Sequence, residues 1–401
     1  MLTRQGWLVA LGVAVLLMSG RILGLAELFA LGVIAAALLV GALVVVASSR
    51  LDLQVGRAIH PVGVHVGTPT RVELTVRNTR ASRTPVLRLR DPVSGTRGAD
   101  LLLSPLGRGE RTVAAYRLPT EHRGLVRVGP LQVVVGDPFG LTNLATVAAP
   151  IAEVTVFPHI DEIEPLPYTT GHDPLAGARR PNSLGRTGED FYALRPYAVG
   201  DDLRRIHWPS SARHDELLVR QSELPWQGRT TVLLDVRKAT HAGESLEIAV
   251  SAAASIVAAT ARRHDLVRLV TSAGSDSDFA PGSDHIEAIM AHLAVVPATS
   301  SGSLRRAVEM LARRSTGGAL VAVLAEVTTE DIRAAASLRT RYGSVTIVQV
   351  DRSAWDRTAP VGPAAEPAVL RITRATPFPV AWATYLRGLR LRRGGSRVGA
   401  R

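Results

Sequence analysis

The chain has 401 residues, a net charge of +12 from 47 Lys+Arg against 35 Asp+Glu, 46% hydrophobic and 4% aromatic content, and no cysteine. That apolar share excludes a disordered chain, and the missing thiol excludes disulfides and thiolate metal centres. The basic balance favours anionic partners, but no basic run is interleaved with aromatics and no zinc-finger or helix-turn-helix spacing occurs, so no nucleic-acid partner is expected.

Residues 1–50 hold the two most apolar windows. Leu28 to Ala47 runs without a charge, and at ~1.5 Å per residue it is long enough for a ~30 Å hydrocarbon core. The first window works as a span over 6–22, with Arg21 reaching to the interface and Trp7 at the opposite one. The reading is a membrane hairpin with spans at about 6–22 and 28–47, in contact with lipid. Arg4 precedes the first span, and Arg50 and Arg57 follow the second. The positive-inside rule then places both ends in the cytoplasm, on a two-span protein of the cell membrane. Arg21, near the hairpin loop, counts against that orientation.

From 51 to 160 the pattern changes to short alternating runs: "RVELTVRN", "VLRLRD", "RTVAAYRL" and "GLVRVGPLQVVVGDPFGL". Alternation with Pro, Gly and Asp punctuation predicts a β-sandwich or open barrel. "GDPFG" reads as a turn, with Pro138 fixing φ between Gly136 and Gly140. No GxxxxGK[ST] phosphate loop is present.

From 229 to 376, continuous apolar strands such as "TTVLLDV", "DLVRLVTSAG", "GALVAVLAEV" and "SVTIVQVD" alternate with helical segments. That predicts a mostly parallel sheet covered on both faces, a Rossmann-type α/β fold. Ligands of such folds bind at the carboxyl ends of the strands, where Asp235, Thr271 and Glu326 fall. Residues 377–401 read as a basic amphipathic tail, "WATYLRGLRLRR" and onward, that either touches the membrane surface or is solvated.

Residues 161–228 link the two domains and include the densely charged stretch "GEDFYALRPYAVGDDLRRIHWPSSARHDELLVRQSE", Gly188 to Glu223. A catalytic reading makes His207 a general base oriented by Asp201 or Asp202, Ser210 or Ser211 a nucleophile, and Glu189 and Asp190 a carboxylate pair. No G-x-S-x-G elbow or H-E-x-x-H supports it. A structural reading pairs Arg195, Arg204 and Arg213 with Asp190, Asp201 and Asp215 as a connector, anchored by Ile206 and Trp208. Its Arg, Tyr and Trp content also suits a docking surface. A connector that also shapes a protein-binding surface is the expectation, in a protein that is not an enzyme.

The order of hairpin, β domain, charged stretch and α/β sheet resembles the bacterial family called domain of unknown function 58, whose last part is von Willebrand factor A-like. The stretch "RPYAVGDDLRRIHWPSSAR" carries the resemblance at Arg195, Tyr197, Gly200, Asp201, Arg204, Ile206, Trp208, Ser211, Ala212 and Arg213. The turn Asp137-Pro138-Phe139-Gly140-Leu141 is a second match. The resemblance implies a protein partner, a MoxR-type AAA+ ATPase, and an adaptor role in envelope or complex assembly. It also implies comparison with the adhesion-site motif D-x-S-x-S, which holds Mg²⁺ through hard oxygen ligands. Here the segment is "DVRKA", Asp235 to Ala239. Arg237 and Ala239 replace both serines, the distant acid corresponds to Glu326, and the distant Thr falls within "TSSGS". One acid beside a guanidinium does not make a metal site, so no metal and no cofactor is expected. Arg237 or Lys238 would supply the positive charge instead. An anionic-lipid binder working through the arginines is a third functional class.

Overall fold

The computed structural model describes residues 2–49, 52–61, 63–167, 191–197, 206–214, 216–222, 228–314, 317–325, 328–356, 358 and 369–395. The chain divides into two units, 1–159 with 290–295, and 160–289 with 296–401.

The first unit opens with α1 (Arg4–Leu23) and α2 (Ala26–Ser48). Only Gly24 and Leu25 separate them, with Gly24 in a left-handed cap at φ 67°. The helices touch through glycine: a Cβ on Gly20 would stand 2.6 Å from the Phe29 nitrogen. Small residues at such contacts let helix backbones approach where lipid gives no hydrophobic drive. Three described helices are long and apolar enough to cross a membrane. In α1 and α2 only 11% and 17% of the apolar window is buried, against 61% in the third. The first two therefore keep an apolar surface that water does not satisfy.

The β region holds β1 (Leu53–His60), β2 (Val64–His65), β3 (Thr70–Asn78), β4 (Leu87–Asp91), β5 (Ala99–Leu103), β6 (Arg111–Leu118), β7 (Gly124–Val128), β8 (Leu131–Gly136), β9 (Asn143–Ala149) and β10 (Ala152–Phe157). They form sheets in the orders β1-β3-β6, β2-β10-β7 and β5-β4-β8-β9. All pairings but β2–β10 are antiparallel. Alternation does the work that the sequence predicts: Val72, Leu74 and Val76 of β3 pack with Leu87, Leu89, Leu118, Leu131 and Val133. This is a β-sandwich-like core. Within it, Arg57 Nη2 pairs with Asp91 Oδ1 at 2.7 Å, and the Tyr116 hydroxyl donates to Asp91 Oδ2 at 2.7 Å. Burial and the carboxylate both push the Tyr116 hydroxyl up from its ordinary value, so it stays a donor at any physiological pH. Tyr116→Phe is expected to cost about 1.5–3 kcal/mol, the range for a hydrogen bond to a charged group. Urea titration of the full chain in detergent measures it.

The second unit carries β11 (Phe191–Pro196), α3 (Trp208–His214) and β12 (Leu218–Ser222). Then follow β13 (Arg229–Leu234), α4 (Ser245–Arg262), β14 (Leu266–Thr271), α5 (Ser283–Val295, of which 290–295 group with the first unit), α6 (Leu304–Arg314), β15 (Ala319–Leu324), α7 (Thr329–Ser337), β16 (Ser344–Val350), β17 (Val369–Ile372) and α8 (Phe378–Gly395). The main sheet has the order β14-β13-β15-β16-β17, all parallel. The chain runs outward from β13 in both directions, so the carboxyl end of β13 is the topological switch point of the sheet, the place where ligands of such folds bind. Antiparallel bridges Val270–Asp276 and Val267–Ala280 show the chain doubling back along the free edge of β14. Ala249, Ala252, Ala253 and Ala254 of α4 are fully buried, so its Ala-rich face packs on the sheet as expected.

Part of the C-terminal segment is a packed helix. The C-terminal helix begins at Phe378, and its stripe Phe378, Ala381, Trp382 and Leu386 is buried. The Trp382 indole donates to the Glu164 carbonyl at 2.8 Å, and the Tyr385 hydroxyl meets Thr346 Oγ1 at 3.0 Å. The apolar face that suggested a membrane or solvated tail is spent on the α/β unit itself.

Candidate functional site

The carboxyl end of β13 is organised by Asp235. Its carboxylate is fully buried, which by itself disfavours charge. The next residues fold back over it. Arg237 donates from its backbone N (3.0 Å) and Nε (2.9 Å) to Oδ1, and from Nη2 (2.7 Å) to Oδ2. Ser272 Oγ donates to Oδ1 at 2.9 Å and Thr240 Oγ1 to Oδ2 at 3.1 Å. Burial opposes ionisation, but Arg237's hydrogen bonds and charge, with Ser272, outweigh it and hold the carboxyl below the usual carboxylate range.

Ser272 also accepts from Val236 N at 2.9 Å, so one hydroxyl ties the ends of β13 and β14 together. Thr299 brackets the same turn through its backbone, accepting from Lys238 N at 2.7 Å and donating to the Val236 carbonyl at 2.8 Å. Its hydroxyl meets Ser301 at 2.9 Å. His241 Nε2 lies 2.8 Å from the Asp235 carbonyl oxygen. Arg237 Nη2 also lies 3.8 Å from Asp331, which caps α7 with Thr328.

Chemically this is an acid whose lone pairs are taken by a side-chain cation and hydroxyl donors. Among the described residues no group of three or more His, Cys, Asp or Glu is arranged to hold a metal ion. Glu326 lies outside the described residues, as do Gly200, Asp201, Asp202 and Arg204. Sequence reasoning named Thr271 at the end of β14, whereas the contact is made by Ser272, one residue further on. Thr299 is the threonine of "TSSGS", the segment to which the resemblance assigned the distant Thr, whereas Thr240 was legible only as a member of a loop.

The charged stretch forms a small frame. β11 pairs antiparallel with β12, with Arg195 opposite Val219. Tyr197 N donates to the Leu217 carbonyl at 2.7 Å, and Ile206 bridges Val219. Ser211 is buried, donating to the His207 carbonyl at 3.1 Å and accepting from Leu218 N at 2.9 Å. These bonds fasten α3 to β12. Ile206 is buried, but Trp208 is 64% exposed. The expected apolar anchor is therefore Ile206 alone. Trp208 stands at the start of α3 with Ala212 and Arg213 also exposed. Of the catalytic reading, the structure brings His207 Nδ1 within 2.8 Å of Ser210 Oγ, a contact between neighbours on one helical turn.

Residues 193–362 match the family described as "Protein of unknown function DUF58". No curated protein matches the chain. Among solved structures, the CARDB domain of a Pyrococcus furiosus protein is similar at 22% identity and TM-score 0.21, covering 26% of this chain and 86% of that one. An alkylpurine DNA glycosylase from Pseudomonas fluorescens is similar at 13% identity and TM-score 0.19, covering 33% and 39%. A β-glucosidase from Listeria innocua is similar at 17% identity and TM-score 0.17, covering 26% and 16%.

Proposed function

We propose that this chain is a membrane-tethered, non-enzymatic interaction protein whose α/β unit is a degenerate von Willebrand factor A-like domain. Its partner, on this reading, is a MoxR-type AAA+ ATPase, and its place is the cell membrane, with two spans and both soluble regions cytoplasmic. The strand order, the doubled-back edge at β14 and an acid at the end of β13 support the domain assignment. Arg237 takes the place of a metal ion there. Arg4, Arg50 and Arg57 flanking the helices support the orientation.

The observation that carries the docking reading is Trp208. A tryptophan 64% exposed, held on a short helix fastened by Ser211 that also exposes Arg213, has the composition and rigidity of an interface hot spot. The test is a binding titration of the full chain in nanodiscs with a purified MoxR-type ATPase, in ATP and Mg²⁺. Trp208→Ala/Arg213→Glu is expected to weaken binding about tenfold or more without moving the unfolding midpoint. Equal affinity for the variant, or no binding by either protein, overturns the reading.

The 2.8 Å contact between His207 and Ser210 favours a second reading, a hydrolase. Turnover of an ester substrate that disappears in both His207→Ala and Ser210→Ala would establish it. An unchanged rate in either variant removes it.

A further inference from the structure

We infer that the turn Asp137–Leu141 is a membrane-interface contact: Phe139 at its tip seats in the headgroup region of the bilayer that α1 and α2 enter. The inference rests on the reading that those helices lie in lipid.

The turn is rigid. Asp137 is buried, and its carboxylate accepts from Phe139 N at 2.8 Å, from Thr142 Oγ1 at 2.9 Å and from Thr142 N. It is also fastened to both helices within the first unit. Thr3 N donates to the Leu141 carbonyl at 2.8 Å, and Thr3 Oγ1 to the Gly140 carbonyl at 2.7 Å. Thr142 Oγ1 also lies 3.2 Å from the Ala42 carbonyl oxygen. Gly6 is packed so closely that a Cβ there would lie 2.1 Å from the Leu141 oxygen.

These contacts fix the depth of the turn. On α1 it sits at Thr3–Gly6, one turn before Trp7, where the exposed apolar face begins. On α2 it sits at Ala42, while Leu43, Val44 and Val45 beyond it are still exposed. An aromatic at that level faces the boundary between headgroups and acyl chains, where Trp and Phe side chains insert. Phe139 is 64% exposed, which is costly in water on a turn too constrained to fold it inward. The neighbouring edge strand β9 packs against α2.

The chain has no cysteine, so single cysteines can carry a spin label without further change. The full chain is reconstituted in nanodiscs with labels at Phe139→Cys, Leu38→Cys and Leu102→Cys in turn. Collision with oxygen, which partitions into lipid, is compared with collision with a water-soluble nickel chelate. Leu38 on α2 reports whether the helices are in lipid. Leu102, exposed on the opposite edge of the sheet from β9, supplies the aqueous reference. The expected result is a deep, nickel-protected label at Leu38 and an intermediate one at Phe139, shifted toward oxygen relative to Leu102. A Phe139 label as nickel-accessible as Leu102, with Leu38 protected, overturns the inference and leaves the membrane reading standing. Nickel access at Leu38 overturns both.

Discussion

Arg268→Ala is expected to destabilise the α/β unit by about 3–5 kcal/mol, the range for breaking a buried ion pair from one side. Arg268 is 2% exposed although it lies in the middle of β14. Its Nε donates to Asp276 Oδ1 at 2.7 Å and its Nη2 pairs with Oδ2. Its guanidinium also stands 5.9 Å from the centre of the Phe279 ring. Removing it leaves the Asp276 carboxylate only Asp278 N, at 3.0 Å, and Arg314, at 3.8 Å, and loosens the doubled-back segment that covers the sheet edge. Amide hydrogen exchange on the full chain reads the effect locally, as lost protection in peptides from β14 and residues 275–280. Asp276→Ala combined with Arg268→Ala is expected to cost less than the sum of the single changes. The pair also sets an acid limit. Arg268 holds the Asp276 carboxyl below its ordinary value. Its stabilisation is complete above the unfolded carboxyl's pKa near ~3.9 and is lost as pH falls through the lower folded value. Protection at this edge that is unchanged in Arg268→Ala would contradict the account.

Asp235→Ala should cost about 2–4 kcal/mol, because it removes a buried acceptor and leaves the Ser272 hydroxyl proton and the Arg237 donors without it, while Thr240 keeps its bond to the Arg237 carbonyl at 2.9 Å. Arg237 escapes part of the penalty, since it is partly exposed and near Asp331. The reciprocal change, Arg237→Ala, makes a separate prediction. Burial then acts on the Asp235 carboxyl without its main counterweight, so its folded pKa rises. Stabilisation that the native pair keeps until strongly acid pH is lost sooner, and the acid-unfolding midpoint moves to higher pH. Circular dichroism of the full chain in detergent between pH 6 and pH 2, a window set by the ordinary carboxyl pKa of about 4, reads this shift. A midpoint unmoved in Arg237→Ala would mean that Ser272 and Thr240 alone hold the charge.

Periodicity made the architecture legible. Twofold alternation marked β3, β4 and β6, and apolar runs, broken in β14 only by Arg268, marked β13 to β16. Elements whose partners lie far away in sequence were not legible. β9 is "NLATVAA", with no alternation to read, because it is an edge strand exposed along most of its length. β11 and β12 pair across a long connection. In α8 the arginines drew attention to the polar face, although Phe378, Trp382 and Leu386 already showed helical spacing. At the site, the charges of Asp235 and Arg237 suggested their opposition. The fold-back that aims three Arg237 donors at one carboxylate is a backbone matter that spacing alone does not encode.

The bond from Thr3 to Leu141 spans 138 residues, which bears on the order of events during synthesis. At about 5–20 residues per second, the carbonyl that secures the start of α1 leaves the ribosome on the order of 10–30 s after Thr3 does. Both apolar helices are by then complete and available to the insertion machinery. On the proposed membrane reading, the hairpin enters the bilayer with its first turn unsecured, and the finished sandwich latches onto it afterwards. A chain stalled before Phe139 would carry the same two helices without the latch.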